Sequence, residues 1–192
     1  MIAPGAEHSP EEIAAAYGID VAADLADHPD RRVAISESQE ESDGAAYTYL
    51  EITYSDGDEA RASRNAAVIL PGNRTELAYW TQAAPEKSLT VHRGYGLLVT
   101  MKPGNVLVDQ TILAPGWEVP LPPESFYTIV ALTEQSESLV VSGYYEPPPN
   151  WEGLEVTLPP DAEHIDTPDG VVEVPTGFRA YAENPIESAA TD

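Results

Sequence analysis

From about residue 46 onward the chain is a succession of short apolar and polar alternations, each stopped by proline or glycine before it reaches the length of a helix. "AAYTYLEITYSDGDEARASRNAAVIL" alternates on both sides of "SDGD", a hairpin signal with Asp-Gly at its tip. The runs "ELAYWTQ", "SLTVHRG", "GLLVTM", "NVLVDQTIL", "FYTIVAL" and "SLVVSGYYE" follow at close spacing, separated by "PGN", "KPGN", "APG" and "PPES". A two-residue period sends alternate side chains to opposite faces, which suits half-buried strands and not helices. Many short strands with Pro and Gly at their joints predict an all-β sandwich or small barrel. At 192 residues the chain has room for one such domain with peripheral arms.

The flanks read differently. In "SPEEIAAAYGIDVAADLADHPD", Ser9 is placed to cap a helix, with Pro10 at its first position and Glu11 and Glu12 near the positive end of its dipole. Gly18 stops that helix, and "DVAADLAD" adds a turn or two before His28-Pro29. "RRVAISESQEESDGAA" predicts a strand running into a polar loop. After "YYEPPPNW" the chain is proline-rich and acidic, with short strands expected at "LEVTL" and "VVEV" and a terminus too polar to fold alone. The chain thus divides into an N-terminal helix and linker (1–45), a β-barrel (46–148) and an extended C-terminal arm (149–192).

Against 33 Asp and Glu stand nine Lys and Arg, a formal net charge of −24. That charge repels phosphate backbones and anionic lipid, so neither nucleic acid nor a membrane is an expected partner. The acids are spread along the whole chain, and Lys87 and Lys102 are the only lysines, a composition that suits a halophilic source. With no cysteine, disulfides, thiolate metal sites and cysteine nucleophiles are excluded. The start "MIAPGAEHSPEE" has no basic region followed by an apolar run, and no stretch approaches the length of a bilayer crossing. A soluble, cytoplasmic protein is expected. No nucleophile elbow, phosphate-cradling loop or zinc signature occurs, and the glycines of "RGYG" serve turn geometry.

Three of the strand segments carry a further signal. "RGYGLLVT", "LAPGWEVPLPPESFYTIVAL" and "SLVVSGYYEPP" resemble the Gly-x-Gly turn, the second signature box and the closing strand of the cupin family, over about residues 75–148. The resemblance implies a double-stranded β-helix, or jelly roll. In metal-binding cupins the first box supplies His-x-His and a Glu, and the second box a further His, all converging on one divalent ion. Counting back from Gly94 puts the His-x-His positions on or within a residue of Trp80 and Gln82, and the Glu position on Lys87 or, one residue away, Glu86. Counting through the second box puts the last ligand on Tyr127, with Glu124 where the box prefers Gly. Such a donor set implies no metal and no other cofactor.

Strand parity then predicts what faces inward. If Tyr127 points into the roll, Ile129 and Ala131 join it, and Trp80 and Gln82 point inward together with Lys87, Leu89 and Val91. An aromatic-lined cavity with Gln82 and the Tyr127 hydroxyl as polar tips suits a neutral or sugar-like small molecule. Large aromatics inside a small barrel ordinarily fill its core, which makes a plugged interior the competing expectation. An inward lysine must pair with a carboxylate such as Glu86 or Glu76, reach out to the mouth, or work with a lowered pKa. Arg74 and Glu76 in "GNRTELAYW" stand on one alternating face at the expected mouth. The expected ligand-binding residues are therefore Arg74, Glu76, Trp80, Gln82, Lys87 and Tyr127. His92 faces the other way, and His8, His28 and His164 fall in terminal or linker segments with no metal-site spacing.

Three functions follow from this reading. The first is a binding protein for a small molecule or carbohydrate. The second is a metal-independent sugar isomerase or epimerase of the cupin type, with Tyr127, Tyr144 and Glu76 as acid or base candidates, although a tyrosine at its ordinary pKa is a poor base. The third is a structural subunit whose arm and edge strands build a homo-oligomer, a dimer at the simplest.

Overall fold

The computed structural model describes residues 9–42, 45–82, 84, 87–105, 107–132, 136–146, 154–168 and 170–183. Two short helices, α1 (Pro10–Ala16) and α2 (Val21–Asp24), come first. Ten strands follow: β1 (Arg32–Ser42), β2 (Ala45–Asp56), β3 (Glu59–Ile69), β4 (Ala78–Trp80), β5 (Lys87–Arg93), β6 (Gly96–Met101), β7 (Asp109–Leu113), β8 (Glu118–Leu121), β9 (Ser125–Ala131) and β10 (Leu139–Tyr145). The chain continues through β11 (Glu155–Thr157), β12 (His164–Thr167), β13 (Gly170–Glu173) and α3 (Phe178–Glu183). Among the described residues no helix is long and apolar enough to cross a membrane.

Strands β3 to β10 are one long hairpin folded back on itself. β3 pairs with β10, β4 with β9, β5 with β8 and β6 with β7, all antiparallel. Lateral pairing of β10 with β5 and of β9 with β6 then sorts these ladders into two sheets, β3-β10-β5-β8 and β4-β9-β6-β7. That is the strand order of a jelly roll. The chain ends enlarge both sheets: β2 and β1 extend the first beyond β3, and β11 extends the second beyond β4. The expected cupin-like jelly roll is present as a fold. Its form is a sandwich, because among the described residues no ladder joins the two sheets into a closed barrel.

Three apolar clusters explain why the sheets hold together. Between them lie Ile69, Leu89, Val91, Leu121 and Val141 from the larger sheet and Trp80, Leu98, Leu113 and Ile129 from the smaller. Behind the larger sheet, Leu50, Ile52, Ala66 and Val140 pack on Ala14, Ile19 and Val21 of the N-terminal segment. Behind the smaller sheet, Tyr79, Val99, Met101 and Phe126 pack on Leu158, Ile165, Phe178 and Ala182. Both sheets are thus covered on both sides, each covered side chain removing apolar area from water at about 25 cal/mol per Å². The segment expected to be too polar to fold alone forms α3 against the smaller sheet, with Phe178 and Ala182 wholly buried there.

The N-terminal segment also differs from the sequence expectation. "SESQEES" continues β1 and pairs along its whole length with β2, so a boundary at residue 45 falls inside a hairpin. An edge strand tolerates polar side chains because one of its edges is solvated. Ahead of it α1 carries a capping box, with the Ser9 hydroxyl accepting from the Glu12 amide at 3.2 Å and the Glu12 carboxylate accepting from the Ser9 amide at 3.0 Å.

A polar network fastens this segment to the larger sheet. Asp24 of α2 accepts hydrogen bonds from Arg64 of β3 and Tyr54 of β2. Arg64 Nη1 also donates to Ser142 Oγ at 2.9 Å, which leaves the hydroxyl's own hydrogen for His92 Nε2, 2.7 Å away. Burial first, and then the Arg64 charge, hold the His92 imidazole below its ordinary value, against the opposing effects of the Gly18 backbone and Asp24. A histidine lowered on folding stabilises the fold fully above its ordinary value of 6.5, and that contribution is lost as pH falls through 6.5 and below, where the unfolded chain binds the proton more readily. His92→Gln is therefore expected to lose less stability than the wild type between about pH 7 and about pH 5. Urea midpoints of the two proteins at both pH values measure this, and equal losses would remove His92 from the acid response.

Candidate functional site

At the end of the sandwich where β2 and β11 enlarge the roll, a cavity of about 60 Å³ lies between the sheets. Lys87, Tyr127, Glu155, Tyr47, Tyr49 and Glu76 supply much of its polar lining, and Leu89, Ile129 and Val141 much of its apolar lining. These residues come from five strands and the β3–β4 loop, and the ladders that pair those strands set their spacing.

Lys87 opens β5 and shares the inward face of Leu89 and Val91, and it is 4% exposed. Its stem lies against β10, where Gly143 makes room. A Cβ on Gly143 would stand 2.0 Å from Lys87 Cε and 2.9 Å from Cδ and Cγ. The amine is 4.9 Å from the Trp80 ring centroid and 5.4 Å from that of Tyr145, two rings that meet edge to face at 5.8 Å. Burial lowers the pKa of the Lys87 ammonium, and the Glu155 carboxylate opposes that shift in part.

Tyr127 lies on β9 opposite Ala78, and its hydroxyl donates to Glu155 of β11. Burial and the Glu155 charge push the Tyr127 phenol well above its usual range, so it stays protonated and acts as a donor. Tyr47 and Tyr49 are half-buried, and both are raised by burial first, then by Glu76 next to Tyr47 and Glu155 next to Tyr49.

A second cavity of about 320 Å³ shares Glu76 and Thr157 with the first. Arg74, Ser42 and Arg179 border it. The Ser42 hydroxyl donates to Glu76, Arg74 Nη1 donates to the Thr75 carbonyl at 3.1 Å, and Arg179 Nη2 donates to the Pro159 carbonyl at 2.6 Å.

The structure brings most of the sequence-predicted residues together. Lys87, Tyr127 and Glu76 line the inner cavity, and Arg74 and Glu76 the outer one. Trp80 points inward as parity requires but is sealed beneath Lys87 in the core and lines neither cavity. Gln82 is a correction: β4 ends at Trp80, the strand period ends with it, and Gln82 is exposed in the following turn. Tyr144 faces the opposite side of β10, 5.9 Å from the Tyr54 ring, away from the cavity. His92 is on that outer side too, and His28 and His164 are exposed. Glu86, His8 and the prolines at 147–149 lie outside the described residues.

Tyr47, Tyr49 and Glu155 were not foreseen. The spacing of the two tyrosines in "AAYTYLEITY" placed them on one face, but nothing in it told which face would meet the cavity. Glu155 stood in a segment read as an arm.

No family model and no curated protein matches this sequence. Among solved structures, the chain is similar to a cupin 2 conserved barrel domain protein from Rhodopseudomonas palustris, at 12% identity over 74% of this chain and 79% of that one, with a TM-score of 0.45. It is similar to a cupin-2 domain from Rhodospirillum rubrum at 16% identity over 60% and 70%, with a TM-score of 0.44. It is also similar to the capsular polysaccharide assembling protein CapF from Staphylococcus aureus at 15% identity and a TM-score of 0.47, over 64% of this chain and 32% of CapF. The fold assignment itself rests on the strand order.

The seat of Lys87 yields a prediction. Gly143→Ala is expected to destabilise the protein by about 1–3 kcal/mol through overpacking. In combination with Lys87→Ala it should cost clearly less than the two changes apart, because the new methyl enters space the lysine has left. Denaturant unfolding of the four proteins in this cycle gives the coupling, and strict additivity would show that Gly143 does not seat the lysine.

Proposed function

We propose that this cupin-like protein binds a small hydroxyl-bearing molecule between its sheets, a short polyol or one end of a carbohydrate. The observation that carries this reading is the convergence of Lys87, Tyr127 and Glu155, from three separate strands, on one cavity. The amine and the phenols offer donors and the carboxylates offer acceptors, which together match hydroxyl groups that both donate and accept. The inner cavity has room for roughly four waters, and so for a fragment of two or three carbons. The outer cavity gives a larger ligand space to continue past Arg74 and Glu76. Trp80 takes no part in stacking, since it is covered.

A divalent ion does not fit this lining. The resemblance puts cupin ligand positions on Tyr127, a protonated phenol, and on Lys87 or its neighbour Glu86, and the cationic form of the Lys87 amine in this lining repels a metal. Among the described residues no three His, Asp or Glu side chains gather to hold an ion.

A thermal-shift series with glycols, glycerol and monosaccharides tests the proposal. A compound at a hundred times its Kd adds about 2.7 kcal/mol, which lifts Tm by roughly 5–10 °C in a chain of this size. Tyr127→Phe and Glu155→Gln should shrink the shift severalfold. No saturable shift with any of these compounds would overturn the reading.

The isomerase or epimerase alternative is favoured by the Tyr127–Glu155 couple, a proton donor hydrogen-bonded to an acceptor in one pocket. Tyr144 drops out of it by position. Self-association is favoured by β7, which ends the smaller sheet with Ile112 59% exposed and Leu107, just before it, 73% exposed. A dimer through this edge would strengthen with salt, which screens the −24 charge. Sedimentation at low and high salt should show association that Ile112→Lys abolishes, and a monomer under both conditions would exclude it.

A further inference from the structure

The small-ligand reading leaves Lys87 with a capacity it does not use. We propose that Lys87 forms an imine with a short hydroxyaldehyde that enters the inner cavity, making the site one that captures carbonyl compounds. This rests on the reading of the cavity as a small-ligand site.

The geometry meets the needs of an amine nucleophile. The stem is fixed along β10 by the space at Gly143, so the amine is held in one place before any ligand arrives. Lys87 lines the cavity with its amine over two aromatic rings at the cavity's edge, and those rings offer it no hydrogen-bond acceptor of the strength of a carboxylate. Burial outweighs the Glu155 charge and moves the amine toward its neutral, nucleophilic form. A donor and acceptor pair, Tyr127 and Glu155, lines the same cavity and is joined by a hydrogen bond. Lys102, the other lysine, is exposed and donates to the Pro123 carbonyl at 3.1 Å.

The ligand class follows from the same lining. The carboxylates of Glu155 and Glu76 oppose an anionic oxo acid, while hydroxyl groups on the aldehyde find the acceptors they need. The volume of the inner cavity keeps the reacting end short.

The step balances without a further reactant. The nitrogen lone pair adds to the aldehyde carbon, and a proton moves from nitrogen to the former carbonyl oxygen through the Tyr127–Glu155 pair. The resulting carbinolamine hydroxyl takes a second proton from that pair and leaves as water while nitrogen forms the C=N bond. The remaining N–H proton returns to the pair. Amine and aldehyde become imine and water, with no net proton change.

The test is reductive trapping of the full chain with glycolaldehyde and cyanoborohydride near neutral pH, followed by peptide mapping of the two lysines. A lowered pKa raises an amine's neutral fraction, so Lys87 is expected to label severalfold faster than Lys102. Tyr127→Phe should slow labelling at Lys87 and leave Lys102 unchanged. Labelling at Lys102 first, or at equal rates, would overturn the imine proposal on the wild-type protein alone. Ethylene glycol, the partner probe without a carbonyl, separates the two readings by thermal shift. A saturable shift with no Lys87 adduct keeps the ligand site and rejects the imine, whereas neither shift nor adduct rejects both. An adduct at Lys87, with or without the glycol shift, supports the imine.

Discussion

Backbone pairing within one folded ladder is the constraint on which the rest of this molecule depends. Once β3 lies against β10 and β4 against β9, the chain between them has to return through β5 to β8 in nested pairs, and the two sheets follow. Every functional side chain inherits its position from those registers. Lys87 stands opposite Leu121 and two strand positions from Leu89, and Tyr127 stands opposite Ala78, so their common cavity results from pairing rather than from any local loop geometry. Long-range antiparallel pairing of this kind carries a large loop-closure cost during folding. It is repaid when three apolar clusters form on the inner and outer faces of the sheets.

The second physical theme is the removal of a charge from water. Trp80 and Tyr145 accept the Lys87 amine over their faces, and Glu155 supplies the opposing charge across the cavity. Ring faces recover only part of the solvation a buried ammonium loses. The same burial shifts the Tyr127 phenol in the opposite direction, upward, and there too the neutral form is the one favoured. Burial therefore moves a lysine and a tyrosine in one chamber toward neutrality together, which suits exchange of protons with an uncharged ligand.

Much of this was legible in the sequence, for reasons that can be located. The alternation in "GLLVTM" and "FYTIVAL" and the Pro and Gly stops gave the strands, and parity correctly turned Lys87, Trp80 and Tyr127 inward. Parity failed at Gln82 because it holds only while a strand lasts, and β4 lasts three residues. Trp80 was legible as inward but not as sealed, since sealing depends on Lys87 and Tyr145 arriving from distant strands. Tyr47, Tyr49 and Glu155 escaped notice because they belong to strands added outside the roll. A strand buried on both faces, as β9 is, carries no polar side to announce which of its faces meets a ligand.

β2 comes from before the jelly roll and β11 from after it, and among the described residues they lie in different sheets, yet each supplies one wall of the same chamber. An occupant bridging Tyr49 and Glu155 would act as a keystone between the beginning and the end of the polypeptide. Tension at either extremity would be felt as a weaker grip on the guest, and the guest in turn would make both extremities harder to peel away.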